Sequence, residues 1–161
     1  MISNYMETLE NCRFCLMCRH VAPVGLVTDK ETYTPHGIAL IATSQARGLV
    51  EWNEETVGVI FSGPDGGNSR AHCVFDQPHP EAVAAVRANL VQQNLAPAVV
   101  YELDGKLLVH QTPFSSESPL AAEGSGDVAL FVGDEARYLW PETLPAVLKL
   151  LRAVDIDPLL V

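Results

Sequence analysis

Three cysteines stand three residues apart in Cys12-Arg-Phe-Cys15-Leu-Met-Cys18, and Cys73 is the only other cysteine in the chain. Clustering three thiols and isolating the fourth is not what a disulfide framework of a small secreted domain would choose. Three thiolates at this spacing in one turn-rich segment can wrap one face of an iron–sulfur cube, with a fourth ligand supplied from elsewhere. Cys73 is the one left to supply it. Four thiolates also suit tetrahedral zinc, but zinc sites usually draw on two separate C-x2-C pairs, whereas three plus one is the cubane habit.

The remaining composition narrows the setting. The chain has 161 residues, enough for one domain of usual size or two small ones, and its 48% hydrophobic content supplies apolar surface for a core. The net charge of −10 repels nucleic acid phosphates and anionic lipid and suits a basic protein surface. Nucleic acid is therefore excluded as the expected partner. Met1–Glu10 is acidic and has no apolar run resembling a secretory leader, and no apolar stretch approaches the roughly 20 residues of a membrane span. The expectation is a cytoplasmic protein whose thiols stay reduced and available as ligands.

Along the chain, Thr34-Pro35 opens a helix to Gly48 with Ile38, Ile41 and Ala42 at helical spacing. Asn53, followed by Glu54 and Glu55, caps a second helix bearing Val57, Ile60 and Phe61, which stops at Ser62-Gly63-Pro64. Residues 62–69 form a Gly-rich loop, and Pro78 to Pro80 introduces a helix with the stripe Val83, Val86, Leu90 and Val91. Residues 98–111 fit either a hairpin about Asp104-Gly105 or a helix with Val99, Leu103 and Leu107 on one side. The Ser/Pro/Gly/Glu segment 112–126 is the expected linker, followed by a buried strand at Asp127–Val132 and an amphipathic helix at Pro141–Val154. A lone strand must pair with that hairpin or with another subunit to satisfy its backbone.

The run Cys12-Arg-Phe-Cys15-Leu-Met-Cys18-Arg-His-Val-Ala22-Pro23 resembles the first motif, C-x2-C-x2-C-x3-C-P, of the dicluster α-helical ferredoxin domain in iron–sulfur subunits of the glycolate oxidase and heterodisulfide reductase type. Ala22 stands at that motif's fourth cysteine. The family's second motif falls on Gly63, Gly66, Ser69 and Cys73, where only the last cysteine is present. Thr34-Pro35-His36-Gly37 and Trp52-Asn53-Glu54 fit the stretch between the motifs. In such domains the fourth cysteine of each motif serves the other cluster. The resemblance therefore implies one complete [4Fe–4S] site on Cys12, Cys15, Cys18 and Cys73, and one vacated site on Ala22, Gly63, Gly66 and Ser69.

That resemblance covers about residues 8–95 and implies a mainly α chain. The implied organisation is an α-helical ferredoxin domain at 1–95, a connecting segment at 96–126 and a short α/β piece at 127–161. Phe131-Val132-Gly133-Asp134 resembles the Phe-x-Gly-Cys start of the family's cysteine-rich domain, with Asp134 in place of cysteine. The implied role is an electron-transfer subunit of an oxidoreductase complex, itself without catalytic residues, which docks a flavoprotein dehydrogenase carrying FAD or FMN. The alternative is a non-catalytic assembly subunit in which the cluster, or a zinc ion, is a structural staple.

Arg13, Arg19 and Arg70 adjoin the cysteines in a chain with only ten basic residues, and would stabilise an anionic cluster or simply form surface ion pairs. His20 and His72 fit a place beside the ligands better than the role of ligands. His36, His79 and His110 have no motif context. Asp65-Gly66-Gly67 lacks the Lys-Ser/Thr of a phosphate loop, and Asp134 and Glu135 read as solvated loop carboxylates.

Overall fold

The computed structural model describes residues 2–12, 15–64, 67–114 and 126–161. The chain is mainly helical and divides into two compact units, Met1–Tyr101 and Glu102–Val161.

In the first unit, α1 (Met6–Glu10) is followed by the cysteine segment, a 3-10 turn (Met17–Val21), α2 (Pro23–Thr28) and a second 3-10 turn (Glu31–Tyr33). Then come α3 (Pro35–Ala46), α4 (Glu54–Ser62), α5 (Asn68–His72) and α6 (His79–Gln92). The start of α3 follows from its first residues: Pro35 sits where no amide donor is needed, and the Thr34 hydroxyl accepts from the Gly37 amide at 3.1 Å. Helix α4 is fixed by a capping box, in which Asn53 Oδ1 accepts from the Thr56 amide at 2.9 Å and Thr56 Oγ1 accepts from the Asn53 amide at 3.0 Å.

The apolar stripes of α3, α4 and α6 meet with Leu9 of α1 in one core. Ile38, Ala42, Val57, Ile60, Val83, Val86 and Leu90 are all buried there. Each Val, Leu or Ile side chain so buried contributes about 1.5–3 kcal/mol of transfer free energy. Val91 does not join the stripe as expected: it is 36% exposed, being a helical step beyond the face that Leu90 buries. The short helix α5 occupies the end of the segment read as a loop and packs against the 3-10 turn at Met17–Val21.

Helix α7 (Ala98–His110) realises the helical alternative, with Asp104-Gly105 in its interior, and the hairpin is not formed. The penalty of a mid-helix glycine, about 1 kcal/mol, is small beside a run of otherwise helix-compatible residues. Most of the expected linker, residues 115–125, lies outside the described residues.

In the second unit the strand is shorter than expected. Strand β1 (Ala129–Leu130) pairs in parallel with β2 (Leu159–Leu160), in the register Ala129 to Leu159 and Leu130 to Leu160. Between them lie a π-helical turn (Glu135–Leu139) and α8 (Thr143–Arg152). The strand therefore pairs with a second strand of its own chain and not with the expected hairpin. A residue run at the chain's own end returns beside it, and Val132, Leu144 and Leu160 form the small core that holds the return.

Candidate cluster-binding site

Four local structures deliver the cysteines. Cys12 follows α1, its amide donating to the Leu9 carbonyl at 3.4 Å. Cys15 is exposed, and Cys18 lies buried within the 3-10 turn, which Leu16 initiates in the left-handed region at φ 58°. Cys73 closes α5, its amide donating to the Arg70 carbonyl at 3.1 Å. All four line one small cavity, of about 20 Å³, with Met17, Phe75, Gln77 and His79 completing its wall. Cys73 is thus brought to the other three across more than fifty residues by the packing of α5 on the turn at Met17–Val21.

The electrostatics of this cavity disfavour bare thiolates. Burial, then the proximity of Cys18, Cys15 and Cys73, pushes the Cys12 thiol up to about 11. Burial also raises Cys18, although the backbone amide of His36 opposes it by hydrogen bonding to the sulfur. That amide is one of the first donors of α3, which have no partner inside the helix. The His36 ring adds a second contact, its Nδ1 lying 3.4 Å from Cys12 Sγ.

His36 and His79 are two of the three histidines that the sequence left without a role. His36 is 2% exposed and His79 3%, and burial lowers the proton affinity of both. The Nδ1 of His79 is buried without a hydrogen-bond partner. The only sequence signal was position: each follows a proline at a helix start, His36 after Pro35 and His79 after Pro78.

The charged neighbours sit differently. Arg19 pairs with Glu31 at 3.1 Å, and Arg70 pairs with Asp76 at 3.1 Å and Glu81 at 2.6 Å, all on the surface. Neither arginine lines the cavity. His20 and His72 are exposed and meet edge to face at 6.5 Å between ring centres. Arg13 lies outside the described residues. Asp134 accepts from Thr112 Oγ1 at 3.0 Å, and it and Glu135 are exposed at the start of the π-helical turn and not in a loop.

A second cavity, of about 70 Å³, is lined by Ala22, Gly63 and Ser69 together with Ile38, His79 and Val83. Ala22, Gly63 and Ser69 are the described members of the set read as a vacated cluster site; Gly66 lies outside the described residues. His79 belongs to the walls of both cavities.

Among the described residues, no three His, Cys, Asp or Glu side chains stand close enough together to hold a single metal ion. No protein-family model, curated protein or solved structure matches the chain.

Proposed function

We propose that the chain is an electron-transfer subunit that holds one [4Fe–4S] cluster on Cys12, Cys15, Cys18 and Cys73 and exchanges single electrons with a partner oxidoreductase, a flavin-dependent dehydrogenase. The observation that carries this reading is the joint placement of two residue sets. The four cysteines share one cavity, and Ala22, Gly63 and Ser69 share another. A crossed pair of four-cysteine motifs, one set kept and one lost, accounts for both.

The donor set fits the group. Four cysteines line the cavity, as does His79, whose Nδ1 is buried without a partner. When bound, the cluster supplies a one-electron couple. The chain's residues do the rest. The cysteines release their protons and bind through sulfur, which ties loading to pH. The helix α3 amide at His36 directs a donor to Cys18. At the mouth, exposed Cys15 stands with the exposed apolar side chains of Met17, Val74 and Phe75 as a contact surface for the partner. Substrate chemistry belongs to the partner, and with it FAD or FMN.

Anaerobically purified protein is expected to contain about four iron and four labile sulfides per chain and to give an electron paramagnetic resonance signal on reduction. One zinc per chain and no sulfide would overturn the reading.

The second reading, a structural staple, is favoured by the way the four cysteines tie three short elements, α1, the Met17–Val21 turn and α5, around so small a cavity. Turnover of the copurified partner separates the two: a staple leaves it independent of the cluster's reduction state.

A further inference from the structure

We propose that His36, in contact with Cys12, and His79, in the lining of the four-cysteine cavity, are buried hydrogen-bond donors that together raise the reduction potential of the cluster held there. This inference rests on the cluster reading above and goes beyond it by assigning the residues that set the potential.

Two independent observations meet at this site. His36 reaches two different sulfurs, Cys12 through its ring at 3.4 Å and Cys18 through its backbone amide. His79 lines the same cavity at 3% exposure, with a ring nitrogen that has no partner. With its proton on Nδ1, His79 is a buried donor without an acceptor, a penalty that an acceptor in the cavity would remove. Sulfur is the acceptor chemistry that the site offers.

The tautomer of His36 follows from the same chemistry. A cysteine sulfur bound to iron has lost its proton and can only accept, so the contact with Cys12 requires the proton on His36 Nδ1. One-electron reduction, with the electron supplied by the partner oxidoreductase, would make the cluster as a whole one charge more negative, part of it on the sulfurs. N–H donors aimed at those sulfurs stabilise the reduced form more than the oxidised one, which raises the potential. The exposed arginines, engaged with Glu31, Asp76 and Glu81 in solvent, are screened and contribute less.

The test uses the full chain with its cluster loaded anaerobically. His36→Leu and His79→Leu remove the ring donors at similar volume, whereas His36→Asn and His79→Asn keep an amide N–H near the Nδ1 position. Potentiometry followed by electron paramagnetic resonance is expected to show a lower midpoint in each Leu variant at unchanged iron and sulfide, with the Asn variants returning toward the parent value. Pulsed resonance on reduced parent protein labelled with 15N-histidine is expected to show nitrogen coupling from both rings.

Fully loaded Leu variants with the parent midpoint would overturn this inference alone. Should a Leu variant fail to assemble a cluster, the labelling experiment on the parent decides, and absence of histidine coupling there overturns the inference. Parent protein that binds zinc or no metal overturns the cluster reading and this inference with it.

Discussion

Cys12 connects the chemistry of the site to the stability of the chain. Its thiol is raised from an ordinary value of 9.0 to about 11, first by burial and then by the neighbouring cysteines. Between about pH 9 and 11 the folded metal-free chain therefore keeps a proton that the unfolded chain has released. That stabilisation is complete below about 9 and is lost as pH rises through about 11. The thermal midpoint of the metal-free protein should fall across this window, and more shallowly in Cys12→Ser; parallel curves would contradict the assignment. The buried histidines act at the other end. His36 and His79 have lowered proton affinity, so the stability they carry is present above about 6.5 and declines as pH falls. Denaturant midpoints measured from pH 7 down to 5 should decrease, and His79→Leu should flatten the decrease. Of these residues the cysteines were legible in the sequence, because spacing alone encodes ligand geometry. The histidines were not, because nothing in a helix-start tripeptide says which cavity its second residue faces.

Helix α3 reaches the site because its first turn is fixed from outside. Thr34 caps it, and Gly37 lies so close to the turn at Glu31–Tyr33 that an added Cβ would meet the Glu31 carbonyl oxygen and stand 2.6 Å from that of Thr32. Those atoms are backbone and cannot swing aside. Gly37→Ala should therefore cost about 1–3 kcal/mol in chemical denaturation and displace the His36 amide from Cys18, with lower cluster occupancy as the second readout. A variant as stable and as fully loaded as the parent would show that the close approach does not matter. The caps of α3 and α4 were legible because they are local: Thr34 and Asn53 each bond to a residue three positions on. Helix α7 was legible only as an alternative, since Asp104-Gly105 and the i, i+4 series Val99, Leu103, Leu107 are both local signals and oppose each other. Strand β2 was not anticipated, because Leu159–Leu160 is too short to show a period of its own.

At the scale of the whole molecule, two cavities share one histidine wall, and the second can be tested by refilling it. Replacing Ala22, Gly63, Gly66 and Ser69 together with cysteine should raise iron from about four to about eight per chain, with sulfide in step. Space is available: a Cβ at Gly63 would meet only Ile38 Cδ1, at 3.8 Å. Serine to cysteine at 69 is nearly isosteric. Iron unchanged at about four would remove the second cavity as support for the two-motif reading. Conversely, Cys73→Ser should abolish cluster retention and lower the thermal midpoint by ~5 °C or more relative to the loaded parent, each ~1 kcal/mol counting for about that much in a domain of this size. No helix among the described residues is long and apolar enough to cross a membrane.

The sequence by itself determined what is written in short-range spacing: the cysteine ladder, the capped helix starts and the apolar stripes of α3, α4 and α6. Tertiary packing decided which distant residues meet. Cys73 joins the ladder because α5 packs on the turn at Met17–Val21, and His36 reaches Cys12 and His79 lines the cysteine cavity because α3 and α6 bury one face each in a common core. Those contacts arise from non-directional burial of apolar surface, summed over several elements at once, and so leave no local signature in the chain.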